Sequence, residues 1–147
     1  MRKIFPMAFV LISVVMMAIL HFLIPVIQVI PIPWNILGII PMVGGVALNL
    51  IADGAFRRVK TTVKPFQESS TLVTSGPYRI SRNPMYLGFA LTLLGIAIIL
   101  GTLAPFIVVL VFCILIERVF IRVEERMLGD KFGQAWLEYK ARIRRWI

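Results

Sequence analysis

"GPYRISRNPMYLG", residues 76–88, joins a basic stretch to a long apolar one. Pro84 suits the first position of a helix, where its missing N–H would have no partner, and Asn83 before it is predicted to cap free backbone N–H groups. A helix start explains only those two residues. Gly76, Pro77 and Tyr78 predict a rigid turn just ahead, and Tyr78, Arg79, Arg82 and Tyr86 crowd the same end. Free N–H groups beside arginines form a natural anion site. Gly88, one turn inside, permits another helix or a flat ligand to approach the backbone closely.

The helix that begins here is read as a membrane span. Of 147 residues 59% are hydrophobic, too many for a small soluble core to hide. Apolar stretches at about 5–30, 34–56, 84–101 and 103–121 each approach the roughly 20 residues needed to cross hydrocarbon. The fold class is therefore all-α, a polytopic membrane protein with four transmembrane helices, forming one domain over residues 1–147. The opening stretch resembles a signal peptide, but its apolar run is far longer than a cleavable core and no small-x-small site closes it. It is expected to stay as a span.

Charge sets the orientation. The 16 Lys and Arg outnumber the 7 Asp and Glu, giving +9. They fall at Arg2 and Lys3, between Arg57 and Arg82, and from Arg118 to Arg145, whereas "QVIPIPWN" and "LGTLAP" between spans carry none. Four crossings place every basic residue on one face, which the positive-inside rule makes cytoplasmic together with both termini, in the cell's inner or plasma membrane. Basic residues that flank apolar segments meet anionic lipid headgroups, and nucleic acid is not an expected partner.

A fifth helix, about residues 131–145, is too polar to span. Phe132, Trp136, Tyr139, Ile143 and Trp146 recur at helical spacing, the pattern of an amphipathic C-terminal helix on the headgroups, or else of a lid over a site at the helix ends.

Several polar residues have ordinary explanations. Asp53 and Arg57 fit an i,i+4 ion pair, His21 a hydrogen-bonded packing residue and Cys113 a packing residue. No His, Cys and carboxylate cluster has metal spacing, so no metal is expected. "LIERVFIRVEERML", residues 114–127, differs by driving Glu117, Arg118, Arg122, Glu124 and Glu125 into one end of a membrane helix. Glu117 and Glu124, seven apart, are predicted to share a face, and Arg122 to pair with Glu125 at i+3. This is either a self-neutralised interfacial end or the wall of a watery site.

"LVTSGPYRISRNPMYLG", a two-helix hairpin, "EERML", "FG" and "YKARIRRW" together resemble the isoprenylcysteine carboxyl methyltransferase family and the related phospholipid N-methyltransferases, over roughly residues 35–147. The resemblance implies a membrane enzyme that uses S-adenosylmethionine without a Rossmann-type domain. It further implies that Gly76, Pro77, Tyr78, Asn83, Pro84, Tyr86 and Gly88 wall the cofactor pocket, that Glu124 and Glu125 hold the cofactor, and that Tyr139 closes it. Arg82, Asn83 and Glu117 are the candidate catalytic residues. Carboxyl methyltransferases commonly carry Arg-His-Pro where this chain has Asn83, and Asn-Pro-Met-Tyr is similar to the phospholipid enzymes. Asparagine does not titrate at neutral pH, so no proton shuttle is expected there.

The expected reaction is methyl transfer to a lipid-linked or membrane-embedded acceptor. A carboxylate acceptor, as in isoprenylcysteine methylation, needs no base; an amine acceptor must first lose a proton, with Glu117 or Glu124 as candidate bases. A small cation transporter would need a carboxylate near mid-bilayer, and the first three spans offer only Asp53, near an end. A non-catalytic scaffold of the same fold is the remaining alternative.

Overall fold

The computed structural model describes residues 6–24, 27–58 and 71–147. Four of the basic residues that set the orientation, Arg2, Lys3, Lys60 and Lys64, lie outside them. Helices make up the regular structure of the described residues: α1 (Pro6–Leu23), α2 (Ile39–Arg58), α3 (Pro84–Leu100), α4 (Leu103–Ile116), α5 (Arg122–Phe132) and α6 (Gln134–Arg142). A 3-10 turn, Trp34–Gly38, leads into α2, and a π-turn, Glu117–Ile121, joins α4 to α5. Among the described residues three helices are long and apolar enough to cross a membrane: Pro6–Leu23, Trp34–Arg58 and the continuous rod Leu103–Phe132. The expected third span, Pro84–Leu100, is apolar but only 17 residues long.

The first span is shorter than its hydropathy suggests. Its last helical bond runs from the Ile24 N–H to the Leu20 carbonyl, and Pro25 follows in the sequence, where proline disfavours the α conformation of the preceding residue. Residues 27–30 instead run along the α3–α4 turn, with the Val29 and Ile30 N–H groups donating to the Gly101 carbonyl and the Leu103 N–H to Ile27. Gly101 ends α3 at φ 73°, the left-handed conformation that stops many helices, and a β-carbon there would press on the Ile30 carbonyl at 2.5 Å. Beside this turn the Thr102 hydroxyl meets His21 Nδ1 at 2.9 Å, the expected satisfied histidine.

Two packing seams hold the helices. In one, α2 lies directly on α3, Gly38 against Gly95 and Gly45 against Gly88; a methyl on Gly88 would sit 2.7 Å from the Asn49 side chain and the Gly45 carbonyl. In membranes, small residues of this kind let backbones approach without a hydrophobic driving force. In the other, α1, α3 and the rod bury Met17, Leu93, Phe112, Ile116, Phe120 and Ile121, with Phe9 edge-on to Phe120 at 5.4 Å. Large apolar side chains such as Leu11, Phe22, Ile40, Leu50 and Leu110 remain exposed on the outer faces, as suits hydrocarbon.

Gly133 separates α5 from α6 at φ 49°, ψ −119°, a conformation only glycine adopts readily. The chain there folds back, and α6 buries Trp136 and Tyr139. It begins at Gln134 and ends at Arg142, shorter than the expected 131–145. Ile143 is extended (φ −115°, ψ 131°), so Ile143 and Trp146 do not continue the helical stripe of Trp136 and Tyr139.

Candidate functional site

Residues 76–83 form the floor of a polar cluster at one end of the bundle. Gly76, Pro77 and Tyr78 make the expected turn, a 3-10 turn over Gly76–Arg79, with Pro77 in its first positions. Tyr78 is buried and packs edge-on to Phe56 of α2, ring centres 5.3 Å apart. Its carbonyl accepts a 2.7 Å hydrogen bond from the Tyr139 hydroxyl, which fastens α6 to the turn. Burial holds the Tyr78 phenol well above its usual range, with nearby Tyr139 adding to it, and pushes Tyr139 up to about 12 against the opposing charge of Arg82.

Pro84 is the first residue of α3. Asn83 stands at the cap position, but its side chain makes no cap hydrogen bond. Its amide Nδ2 instead donates to the Arg145 carbonyl at 3.1 Å, and its backbone N–H is taken by Ser81 Oγ at 3.1 Å. The expected cap is therefore replaced by a long-range clip.

The glutamates are distributed by the π-turn. The Arg122 N–H donates to the carbonyl of Glu117, five residues back, which inserts one extra residue into the helical path. At about 100° per residue, everything beyond is rotated by one position, so Glu125 takes the phase that Glu124 would hold in an uninterrupted helix. The predicted shared face of Glu117 and Glu124 is thus corrected: Glu117 and Glu125 both meet Arg145, and Glu124 turns to the Tyr86 hydroxyl, which donates to Oε1 at 2.8 Å. For the same reason Arg122 pairs with Glu117 at 3.1 Å rather than with Glu125.

Two arginines from opposite ends of the cluster share Glu125. Arg145 is bidentate, Nε to Oε1 at 3.0 Å and Nη2 to Oε2 at 2.8 Å, while its Nη1 donates to Glu117 at 2.9 Å. These bonds, Glu125 foremost, hold the Arg145 guanidinium even more firmly protonated than usual. Arg82 Nη1 lies 3.2 Å from Glu125 Oε1, and its guanidinium sits 5.6 Å from the centre of the Trp136 ring. The Arg82 side chain is 7% exposed, yet among the described residues its Nε and Nη1 have no partner in hydrogen-bond geometry. The ion pair with Glu125 is close but misaligned. A buried guanidinium with unfilled N–H groups is costly unless an acceptor joins it.

Of the expected site residues, the structure brings Arg82, Asn83, Glu117 and Glu125 into one network, with Tyr86 and Glu124 as a second pair. Gly76, Pro77, Tyr78 and Tyr139 support its floor. The Gly88 surface is taken up by α2. Five further participants were not among the expected site residues: Ser81, Trp136, Arg122, Arg145 and Trp146, whose indole Nε1 lies 3.5 Å from Glu117 Oε2. Arg145 sits in a basic run where its spacing does not single it out, and Trp146, expected on the helical stripe of the C-terminal segment, instead reaches Glu117 from the chain beyond α6. Asp53 and Arg57 form the expected ion pair at 2.6 Å away from this network, and among the described residues no group of three His, Cys, Asp or Glu is placed to bind a metal.

An all-helical integral membrane protein with a polar cluster gathered at the start of α3 has a known counterpart. The fold superposes with a TM-score of 0.71 on a eukaryotic intramembrane Ras methyltransferase, isoprenylcysteine carboxyl methyltransferase, over 96% of this chain and 51% of that one, at 24% identity. The phospholipid methyltransferase family model matches residues 34–135, and the chain belongs to that family of membrane methyltransferases. Two curated relatives are similar in sequence. The cobalt-zinc-cadmium resistance protein CzcN of Cupriavidus metallidurans is 36% identical over 76 residues, 52% of this chain and 35% of that protein. An uncharacterized protein of Haemophilus influenzae is 36% identical over 63 residues, 43% of this chain and all of that one. The chain thus matches about a third of the first relative and about half of the solved structure.

Proposed function

We propose that this protein is an S-adenosylmethionine-dependent methyltransferase that works at the cytoplasmic membrane interface on a lipid-linked or membrane-embedded acceptor. In this reading α3 completes four spans, and the exposed arginines at Arg57, Arg58 and Arg79 rest on anionic headgroups. The observation that carries it is the pairing of opposite needs within one cluster. Arg82 keeps buried N–H groups unfilled, and Glu124 is bonded by a neutral tyrosine hydroxyl, whereas Glu117 and Glu125 are each shared by two arginines. These residues fit the amino-acid end of the cofactor: Arg82 and the start of α3 for its carboxylate, Glu124 for its ammonium or hydroxyl groups. When bound, the cofactor supplies an activated methyl group for in-line displacement. The protein's part is alignment and exclusion of water.

A carboxylate acceptor, as in isoprenylcysteine methylation, asks no proton transfer of the site. An amine acceptor is the second reading, favoured by the family match to phospholipid methyltransferases and by Glu124, whose carboxyl group no arginine shares among the described residues and which is the candidate to take the amine's proton. Calorimetric titration of the purified protein with S-adenosylhomocysteine tests the common part. Glu124→Ala should weaken binding strongly and Glu138→Ala, on the exposed face of α6, should leave it intact. Equal affinity in both variants, or no binding by the unmodified protein, removes the reading. Labelled-methyl transfer to membrane lipids then separates an amine product from an ester.

A further inference from the structure

The segment that follows α6 is bound to the cluster more tightly than packing alone requires. Its backbone is clipped at two successive carbonyls: Arg144 accepts from the Arg82 N–H at 3.0 Å, and Arg145 accepts from Ser81 Oγ at 3.3 Å and Asn83 Nδ2 at 3.1 Å. Its side chains fill the carboxylates, Arg145 on Glu117 and Glu125 and Trp146 beside Glu117. Yet it belongs to no helix, and Arg144 and Ile147 face outward. Three polar clips and one guanidinium hold it, and its one apolar anchor is Trp146, half-buried against the core, so most of what binds it is polar and locally releasable.

We propose that residues 144–146 are a displaceable strap whose Arg145 guanidinium serves as an internal cation on Glu117 and Glu125 and swings off them to admit a ligand whose cationic group is bound for the adjoining Glu124. This rests on the methyltransferase reading for the ligand's identity and deepens it, making Arg145 a gate on access. Charge decides the direction. Arg145 pairs with both Glu117 and Glu125, so removing it takes one positive charge from these two carboxylates. A ligand with a cationic group then enters without first breaking a bidentate pair.

The test uses the full chain in detergent micelles, with two readouts. Hydrogen exchange followed by mass spectrometry reports the strap without ligand. Arg145→Ala should speed exchange of the peptide carrying the Arg82 amide about tenfold or more, the scale of losing one charge-assisted bond, and leave α3 and α4 beyond residue 88 unchanged. Arg145→Lys should fall between the two. Titration with S-adenosylhomocysteine reports the competition: Arg145→Ala should bind about tenfold tighter than the unmodified protein. Weaker binding by the variant would make Arg145 a fixed wall of the site and overturn the proposal. Unchanged exchange at Arg82, or loss of protection throughout α3 and α4, would overturn it as well. If neither protein binds S-adenosylhomocysteine, the methyltransferase reading fails, and the exchange measurement alone decides whether the strap opens.

Discussion

Replacing Glu125 by glutamine keeps the shape of the side chain and removes only its charge, which isolates what the carboxylate does for the two arginines upon it. Arg82 and Glu125 are 7% and 10% exposed and 3.2 Å apart, whereas the Arg122–Glu117 pair is 59% and 25% exposed. At 3.2 Å and an effective dielectric constant near 20, the attraction between the first two charges is about 5 kcal/mol. Stranding a buried charge in this way typically costs about 3–5 kcal/mol, while a solvated pair contributes about 0–1 kcal/mol. Glu125→Gln is therefore expected to destabilise the fold by about 3 kcal/mol and Glu117→Gln by about 1 kcal/mol. Thermal unfolding in detergent, followed by tryptophan emission, suits the question because Trp136 and Trp146 both border the network. A second variant supplies the control: Arg82→Met with Glu125→Gln removes the stranded charge and should recover much of the loss. Equal losses for Glu125→Gln and Glu117→Gln, or a double variant as unstable as the two single losses added together, would refute the view that burial makes Glu125 the keystone of the cluster.

Three further outcomes are expected. Gly88→Ala should destabilise by about 1–3 kcal/mol through overpacking against Asn49 and the Gly45 carbonyl, and Asn49→Ala in the same chain should restore part of it; thermal unfolding reads both. Tyr139 keeps its proton to about pH 12 when folded against 10 when free, so folding is favoured below pH 10 and that contribution fades as pH rises from 10 toward 12; Tyr139→Phe should flatten this decline in alkaline unfolding curves. Deleting Val119 from the π-turn should return the rod to a plain helix and turn Glu124 and Glu125 by about 100°, uncoupling Glu125 from Arg145 and Glu124 from Tyr86, seen as a lower unfolding temperature.

What the sequence disclosed follows the range over which each interaction acts. Hydropathy is summed along one helix, so the apolar segments are evident, and Asp53 with Arg57 is legible because four residues bring them together on any helix. Pro84 likewise carries its own instruction. Asn83 shows where such local logic fails: the capping preference is real, but a carbonyl 62 residues away competes for the same amide. The π-turn leaves no compositional trace in "ERVFI", and a one-residue insertion there reassigns every polar partner downstream. Arg145 reaches Glu125 and Glu117 across 20 and 28 residues, and only the reversal at Gly133 makes that approach possible.

The distribution of charge, more than its total, argues for the kind of molecule the cluster receives. The ion pairs concentrate on Glu117 and Glu125. That leaves unfilled N–H groups at Arg82 and, among the described residues, a Glu124 carboxyl group that no arginine shares. A phosphate alone would satisfy Arg82 and leave Glu124 with no new partner. A simple cation would do the reverse, and would have no use for the start of α3. An occupant carrying both signs close together relieves both residues, a demand that the amino-acid end of the proposed methyl donor meets and a headgroup of single charge does not.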